Sequence, residues 1–306
     1  MLKKIMSVLL CAVFLVSNTG MAAAPENIQE KLDIIERDTY GMEQTGALME
    51  RIKRLEKAYD GKYGKGSMTA RLDALYDEIY VNGTEPSKQA LLNAIQWNIR
   101  REVSVEPVQT RIAAMEMEID GKTGEGTFSQ RINALGKASF GEETPPMVKV
   151  QVPADTLIKI ALSEPVSSKK LKVGDKINYH VAEDVMVDGV LLFVKGAKGE
   201  GRVTKVTPAR NFGRNAELVI EFEKTKSIDG TYVDTFVGEA AKQEMTNMAM
   251  AAGASIAGMV ILGPVGIIAG AFVKGKNIEL PEGTELFIQT KNEETLYGVQ
   301  TVPATE

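Results

Sequence analysis

The sequence has one cysteine and one histidine among 306 residues. Cys11 lies within the first two dozen residues, which have the composition of a secretory signal peptide. Removal of that segment would leave a chain without thiols, which excludes disulfides and cysteine-ligated metals. A single histidine excludes a multi-histidine metal centre, and the alternating run around His180 favours a strand residue over a catalyst. We therefore expect no cofactor and no metal.

Basic residues are fewer than acidic residues. The chain has 36 Lys and Arg against 41 Asp and Glu, a formal net charge of −5. Loss of Lys3 and Lys4 with a signal peptide would lower this to about −7. Nucleic-acid-binding domains normally carry a basic face, so this balance argues against a nucleic-acid partner.

The N-terminal segment predicts export. Lys3 and Lys4 precede an apolar run over residues 5–16, and small residues follow up to Pro25. We predict a signal peptide over residues 1–22, cleaved after Ala22. The alternative is an uncleaved anchor, but the apolar run is short for a membrane span. The expected location is the periplasm or outer membrane of a bacterial envelope.

Six copies of a twenty-residue repeat fill the first half of the chain. Each copy carries a basic–apolar pair in the same phase: Lys31-Leu32, Arg51-Ile52, Arg71-Leu72, the degenerate Leu91-Leu92, Arg111-Ile112 and Arg131-Ile132. Apolar residues at i, i+4, i+7 and i+11 form one stripe of an amphipathic helix, and glycine or proline interrupts the chain between stripes. The pattern predicts a helical repeat region over residues 26–141, with helices of about fourteen residues and six-residue turns.

One narrow stripe cannot hold so short a helix by itself. The stripes must pack on neighbouring copies or on another chain, so we expect a spacer or assembly surface, with a weakly ordered array as the alternative. The residues expected to make this packing are Ile52, Leu55, Leu72, Leu75, Ile112, Met115, Ile132 and Leu135.

The recurring arginines have candidate partners in adjacent copies. Glu36, Glu56 and Glu116 are the acidic residues best placed to pair with them. Exposed ion pairs of this kind contribute little to stability. We therefore expect them to set the register of the repeats at most.

Period-two patterns replace helical ones after a linker at residues 142–147. The strands predicted within a β domain at 148–306 are 156–162, 176–186, 190–194, 200–207, 216–223, 232–237 and 286–290. Asp188-Gly189 and Asp229-Gly230 are hairpin turn signals. The fold class is therefore α+β and multidomain: short helical repeats followed by an antiparallel barrel or sandwich.

Three carboxylates near one hairpin raise the question of catalysis. Glu183 and Asp184 are adjacent and would point to opposite faces of a sheet, while Asp188 suits the turn itself. A hydrolase that uses Glu183 and Asp184 is the lesser alternative. We expect that the protein is not an enzyme.

Residues 248–273 contain no charge, and the segment is long enough to cross a membrane. Its small residues are regularly spaced, and its candidate membrane or oligomer contacts are Gly253, Gly258, Gly263, Pro264, Gly266 and Gly270. Gly263-Pro264 favours a break, which predicts an inserted Gly-rich helical hairpin. Two interpretations remain open: contact with a membrane, or burial against the β domain.

The second half resembles the TrbI-like outer-membrane channel subunits of conjugation and type IV secretion systems. The matching phrases are Val152–Thr156, Val181–Val185, Val194–Gly196, the 248–273 insertion and Leu280–Thr284. The resemblance covers about 150 residues and implies a β-barrel with a late helical hairpin that reaches the outer membrane. Val194 replaces the proline of the family's turn, and the repeat half has no counterpart there.

These patterns favour a non-enzymatic structural or assembly protein of the cell envelope. Its expected partners are other copies of itself or other envelope proteins, with membrane contact through residues 248–273. The alternative is a soluble periplasmic binding or adaptor module whose apolar hairpin is buried core.

Overall fold

The computed structural model of the chain describes residues 27–209, 216–251, 259–260, 269–270 and 277–301. The predicted signal peptide lies outside these ranges. The fold class predicted from the sequence is confirmed: short helices at a twenty-residue spacing precede antiparallel sheets that include a closed barrel.

Six helices of thirteen residues each occupy the repeat region. They are α1 Ile28–Tyr40, α2 Leu48–Asp60, α3 Met68–Tyr80, α4 Lys88–Arg100, α5 Val108–Asp120 and α6 Phe128–Phe140. Ser67, Ser87 and Thr127 each accept a hydrogen bond from the backbone amide three residues later, as N-caps do. The helices are thus slightly shorter, and the turns slightly longer, than the sequence predicts.

The apolar stripes of all six helices meet in one core. Helix α1 contacts α3 and α5, and α2 contacts α6, so the array folds back on itself. The helical half is therefore a closed bundle in which the stripes pack on other copies within the chain, one of the two arrangements that the sequence predicts. The seven-residue turns reverse the chain often enough for helices distant in sequence to become neighbours.

Fourteen strands lie in the described residues of the second half. They are β1 Met147–Val152, β2 Leu157–Leu162, β3 Val166–Ser167, β4 Lys176–Val181, β5 Val185–Val187, β6 Val190–Phe193, β7 Lys198–Thr207, β8 Glu217–Lys226, β9 Tyr232–Phe236, β10 Met259–Val260, β11 Ala269–Gly270, β12 Glu279–Leu280, β13 Glu285–Thr290 and β14 Glu294–Gln300. The barrel closes in the order β13-β2-β4-β7-β8-β9, and a second sheet has the order β1-β14-β6-β5.

The strand predicted at 176–186 is in fact two. Strand β4 pairs with β2 and β7 in the barrel, whereas β5 pairs with β6 in the second sheet. Asp184 lies at the break, and its carboxylate accepts the backbone amide of Lys195 at 2.8 Å. The hairpin predicted at Asp188-Gly189 is confirmed, since both residues have positive φ and Val187 pairs with Val190.

A seventh helix, α7 (Glu239–Ala251), leaves the barrel after β9 and packs on β13. Beyond it, β10 pairs antiparallel with β11. Helix was predicted here, but these four residues are extended, which agrees with the low helix propensity of a glycine-rich segment. None of the helices in the described ranges combines the length and apolar character needed to cross a membrane.

Candidate functional site at the interface of helices and barrel

Three of the recurring arginines form ion pairs with a glutamate fifteen residues earlier. Arg51 Nε lies 3.0 Å from Glu36 Oε1. The Nε–Oε1 distance is 2.8 Å both for Arg71 with Glu56 and for Arg131 with Glu116. The partners are those predicted, but the expected exposure is wrong: Glu36 is 0% and Arg51 6% exposed. These pairs lie within the bundle because the turn folds over them.

The same carboxylates also bind the turn between the helices they join. Glu36 Oε2 accepts the backbone amide of Gln44 at 2.7 Å, and Glu116 Oε2 accepts that of Gly124 at 2.8 Å. Each glutamate therefore connects its own helix to residues eight and fifteen positions later. This double attachment fixes the phase of the repeat, which a simple apolar stripe would leave free to slip.

Glu116 gives a prediction for the pH dependence of stability. Burial by itself would raise the pKa of Glu116, but the Arg131 hydrogen bond, the Gly124 amide and the Arg131 charge together hold it below its usual value. Glu116 therefore stabilises the folded state above the unfolded pKa, and this contribution is lost as pH falls through the folded pKa.

We expect the midpoint of thermal unfolding, followed by helical circular dichroism, to fall as pH is lowered from about 5 to about 3. The Glu116→Gln variant serves as the control, because it cannot titrate at this site. Its midpoint should start lower and fall less over the same range. Parallel pH profiles for the two proteins would contradict the role assigned to Glu116.

The fourth arginine, Arg111, breaks the pattern. Its Nε lies 2.7 Å from Gln96 Oε1 and its Nη2 lies 2.7 Å from Asn93 Oδ1. These amides occupy the positions that Glu36 and Asp33 occupy toward Arg51. The geometry of the pair is kept, but no carboxylate bonds the guanidinium of Arg111, a residue that is 2% exposed.

Helix α4 attaches the bundle to the barrel. Ala94 and Trp97 belong to the apolar core of the β domain, and Trp97 Nε1 donates to Asp184 Oδ2 at 2.7 Å. Asn93 Nδ2 donates to the Ile228 carbonyl at 2.8 Å, and Asn82 Nδ2 to that of Asp229 at 3.0 Å. The two halves therefore share core side chains and hydrogen bonds.

A cavity of about 220 Å³, here called the interface cavity, lies between the two halves. Helix side chains on its wall include Asp38, Gln89, Asn93 and Arg111; barrel side chains include Lys226 and Tyr232. The Lys226 ammonium lies 5.1 Å from the centre of the Tyr232 ring. Burial lowers the pKa of Arg111 to about 10 and also lowers that of Lys226. Both cations are therefore destabilised by desolvation.

The residues predicted to pack the repeats all lie in the core of the bundle. Ile52, Leu55, Leu72, Leu75, Ile112, Met115, Ile132 and Leu135 are at most 3% exposed. Of the glycine-rich set, Gly270 lies in β11, while Gly253, Gly258, Gly263, Pro264 and Gly266 lie outside the described residues.

The carboxylates considered for catalysis have structural partners. Asp184 accepts from Trp97 and from the Lys195 amide, and Glu183 pairs with Lys159 at 2.6 Å. Asp188 occupies its turn with φ of 51°. Across the described ranges, no cluster of three or more His, Cys, Asp or Glu could hold a metal ion.

One feature of the sequence could have indicated the interface cavity. Gln96 stands where Glu36, Glu56 and Glu116 stand in other copies, so the phase of the repeat marks Arg111 as lacking its acid. No departure from a sequence pattern distinguishes Gln89, Asn93 or Lys226. Lys226 is more than a hundred residues from Arg111, and only the docking of the two halves brings them to one cavity.

Comparisons with known proteins assign no family to the chain. No protein-family model and no curated protein matches it. Among solved structures, it is similar to ComB10 of the Com type IV secretion system of Helicobacter pylori, at 17% identity over 47% of this chain and 88% of that chain, with a TM-score of 0.26. That neighbour belongs to the kind of system suggested by the sequence resemblance, but so weak a likeness carries no argument about function.

Proposed function

We propose that the chain is a non-enzymatic assembly protein of the bacterial cell envelope. In this proposal the helical bundle and barrel form one body, and residues 248–273 contact a membrane or another chain. One observation carries it: a segment of 26 residues without charge is inserted between β9 and β13 of the barrel. The export pattern at the N-terminus supports an envelope location.

Helix α7 holds the start of this segment on the barrel. The Ala241 amide donates to Gln289 Oε1 at 3.0 Å, and Met245 is buried. At the far end of the helix Met250 is 67% exposed, where the uncharged sequence begins. A firmly attached helix that ends in an exposed apolar side chain is suited to present the segment to a partner.

A different observation favours the alternative, a soluble periplasmic adaptor or binding module. Strand β11 pairs with β10 and lies beside β8 of the barrel. In that case the uncharged segment folds back and covers the barrel. The two functions differ in what surrounds the segment, lipid or protein, and this difference can be measured.

The test compares the full chain with an Ile261→Asp/Ile268→Asp variant, both exported in a Gram-negative host. A charged residue inside the hydrocarbon core of a membrane costs roughly 2.5–3.5 kcal/mol. We expect the full chain to stay in washed membranes during alkaline carbonate extraction, and the variant to be released with an unchanged melting temperature. The mass of the detergent-extracted complex then reports assembly.

The opposite pattern would overturn membrane contact. If the full chain is released by carbonate and the variant loses thermal stability, the segment is buried core and the adaptor function stands. A matched control is Lys205→Asp, a substitution at an exposed position on β7. It changes charge in the same direction without touching the segment.

A further inference from the structure

We propose that the interface cavity binds a small zwitterionic amino acid, with its carboxylate between Arg111 and Lys226 and its ammonium at Gln89 and Asp38. This inference is independent of the membrane role of residues 248–273. It rests on side chains of the bundle and barrel alone, and it assigns a ligand class to a cavity that the assembly function does not use.

Arg111 carries a buried charge to which no carboxylate is bonded. In the other three pairs a glutamate neutralises the arginine, whereas Gln96 and Asn93 offer only amide oxygens. Within the described part of the chain, the side-chain hydrogen bonds of Arg111 come from Nε and Nη2 and not from Nη1, and no carboxylate lies within 4.0 Å of the guanidinium. Asp38 and Glu106 act on this charge only from a distance. A buried charge without a directly bonded counter-charge is unfavourable, so a carboxylate in the cavity would compensate it.

Lys226 lies on the opposite wall of the cavity, which the barrel forms. Lys226 projects from the end of β8 beside the Tyr232 ring and has no ion-pair partner among the residues that the structure describes. Lys198, on the same wall, is already paired with Glu200 at 2.7 Å. Arg37 also lines the cavity, and it pairs with Glu43 at 3.6 Å. Among the described residues, Arg111 and Lys226 are therefore the two lining cations without an ion-pair partner.

The Gln89 side chain, which lines the cavity, carries a hydrogen-bond acceptor without a donor. Gln89 Oε1 is buried and has no hydrogen-bond partner, and it is the one such side-chain atom found in the described ranges. Buried polar atoms are nearly always paired, so this oxygen points to a missing donor. Asp38 and Glu106 also line the cavity. Asp38 accepts from the Tyr80 hydroxyl at 2.8 Å and retains further lone pairs.

The cavity thus has cations on one side and hydrogen-bond acceptors on the other, and together they favour one class of ligand. A phosphate or a dicarboxylate would meet the Asp38 and Glu106 carboxylates, whereas a zwitterion places its ammonium toward the acceptors and its carboxylate toward the cations. The volume of about 220 Å³ lies below that of cavities for drug-sized ligands, roughly 300–1,000 Å³. A free amino acid with a short side chain fits both conditions.

The experiment is calorimetric titration of the mature full chain with alanine, acetate, ethylamine, inorganic phosphate and the dipeptide Ala-Ala. We expect alanine to bind at least roughly tenfold more tightly than acetate or ethylamine, because only alanine satisfies both sets of groups. Ala-Ala separates a free amino acid from a peptide end. Tighter binding of the dipeptide would assign the cavity to peptide termini and overturn the free amino acid.

Variants locate the site. Lys226→Met and Gln89→Leu should each weaken alanine binding at least about tenfold, and Lys205→Met, on the same barrel but outside the cavity, should leave it unchanged. Arg111→Met should abolish binding. If that variant does not fold, the Lys226 and Gln89 variants decide the question. Acetate or phosphate binding as tightly as alanine, or no binding at about 10 mM, overturns the proposal.

Discussion

Replacing Arg51 with methionine is expected to lower the free energy of unfolding of the helical bundle by about 3–5 kcal/mol. The guanidinium bonds both Glu36 and Asp33, and the Glu36 side chain is completely buried. Methionine fills much of the same space but leaves the Glu36 carboxylate without its counter-charge. Urea unfolding followed by helical circular dichroism measures the difference from the native chain.

The control variant copies an arrangement that the chain already contains. Glu36→Gln reproduces the arrangement of Gln96 and Arg111, in which an amide oxygen accepts both the arginine and the backbone amide of the turn. Arg51 would also keep Asp33. We expect this variant to cost about 1 kcal/mol, the size of an ordinary hydrogen-bond change. Equal losses for Arg51→Met and Glu36→Gln would show that the buried charge is not what makes the pair important.

Sequence periodicity alone predicts the number, phase and approximate length of the six repeat helices, because each copy repeats one stripe of apolar residues. It also predicts the partners Glu36, Glu56 and Glu116. Burial of the pairs could not be predicted, since it depends on how α1 meets α5 and α2 meets α6. A repeat pattern specifies local contacts and leaves open whether the array extends or closes.

Two strands of the β half could not be predicted from the sequence patterns. Strands β1 and β14 were not predicted, although they pair with each other over six residues. Strand β14 contains Gly298, where a β-carbon would lie 2.4 Å from Val190 Cγ1 and 2.6 Å from the Leu191 carbonyl oxygen. Glycine is required there by the close approach of β6, but in a single sequence it reduces the strand signal.

The interface between the two halves was the part least accessible to sequence reasoning. Asn82, Asn93 and Trp97 bind backbone carbonyls and a carboxylate more than eighty residues away. Asn93 and Trp97 lie in α4 at positions that fit the repeat, and Asn82 lies in the turn before it, so nothing distinguishes them from residues on a solvated face. Asp184, a candidate catalytic carboxylate in the sequence, accepts the hydrogen bond of the Trp97 indole. A polar cluster in sequence thus corresponded to a docking contact.

Trp97 is the residue on which that docking should depend most. We expect Trp97→Ala to lower the free energy of unfolding by about 3–5 kcal/mol, because the indole is 6% exposed and lies in the core of the β domain. Removal would also separate the two halves energetically. Helical circular dichroism and the backbone amide NMR signals of the barrel strands should then be lost at different denaturant concentrations, whereas in the native chain they should coincide.

Trp97→Phe distinguishes packing from hydrogen bonding at this position. Phenylalanine keeps most of the buried ring but loses the bond to Asp184, an exposed carboxylate that water can solvate in its place. The expected loss is about 1 kcal/mol with a single coincident transition. If Trp97→Ala also unfolds in one transition, the bundle and barrel are joined mainly through the polar contacts of Asn82 and Asn93. The interface cavity would then depend on those amides more than on the indole.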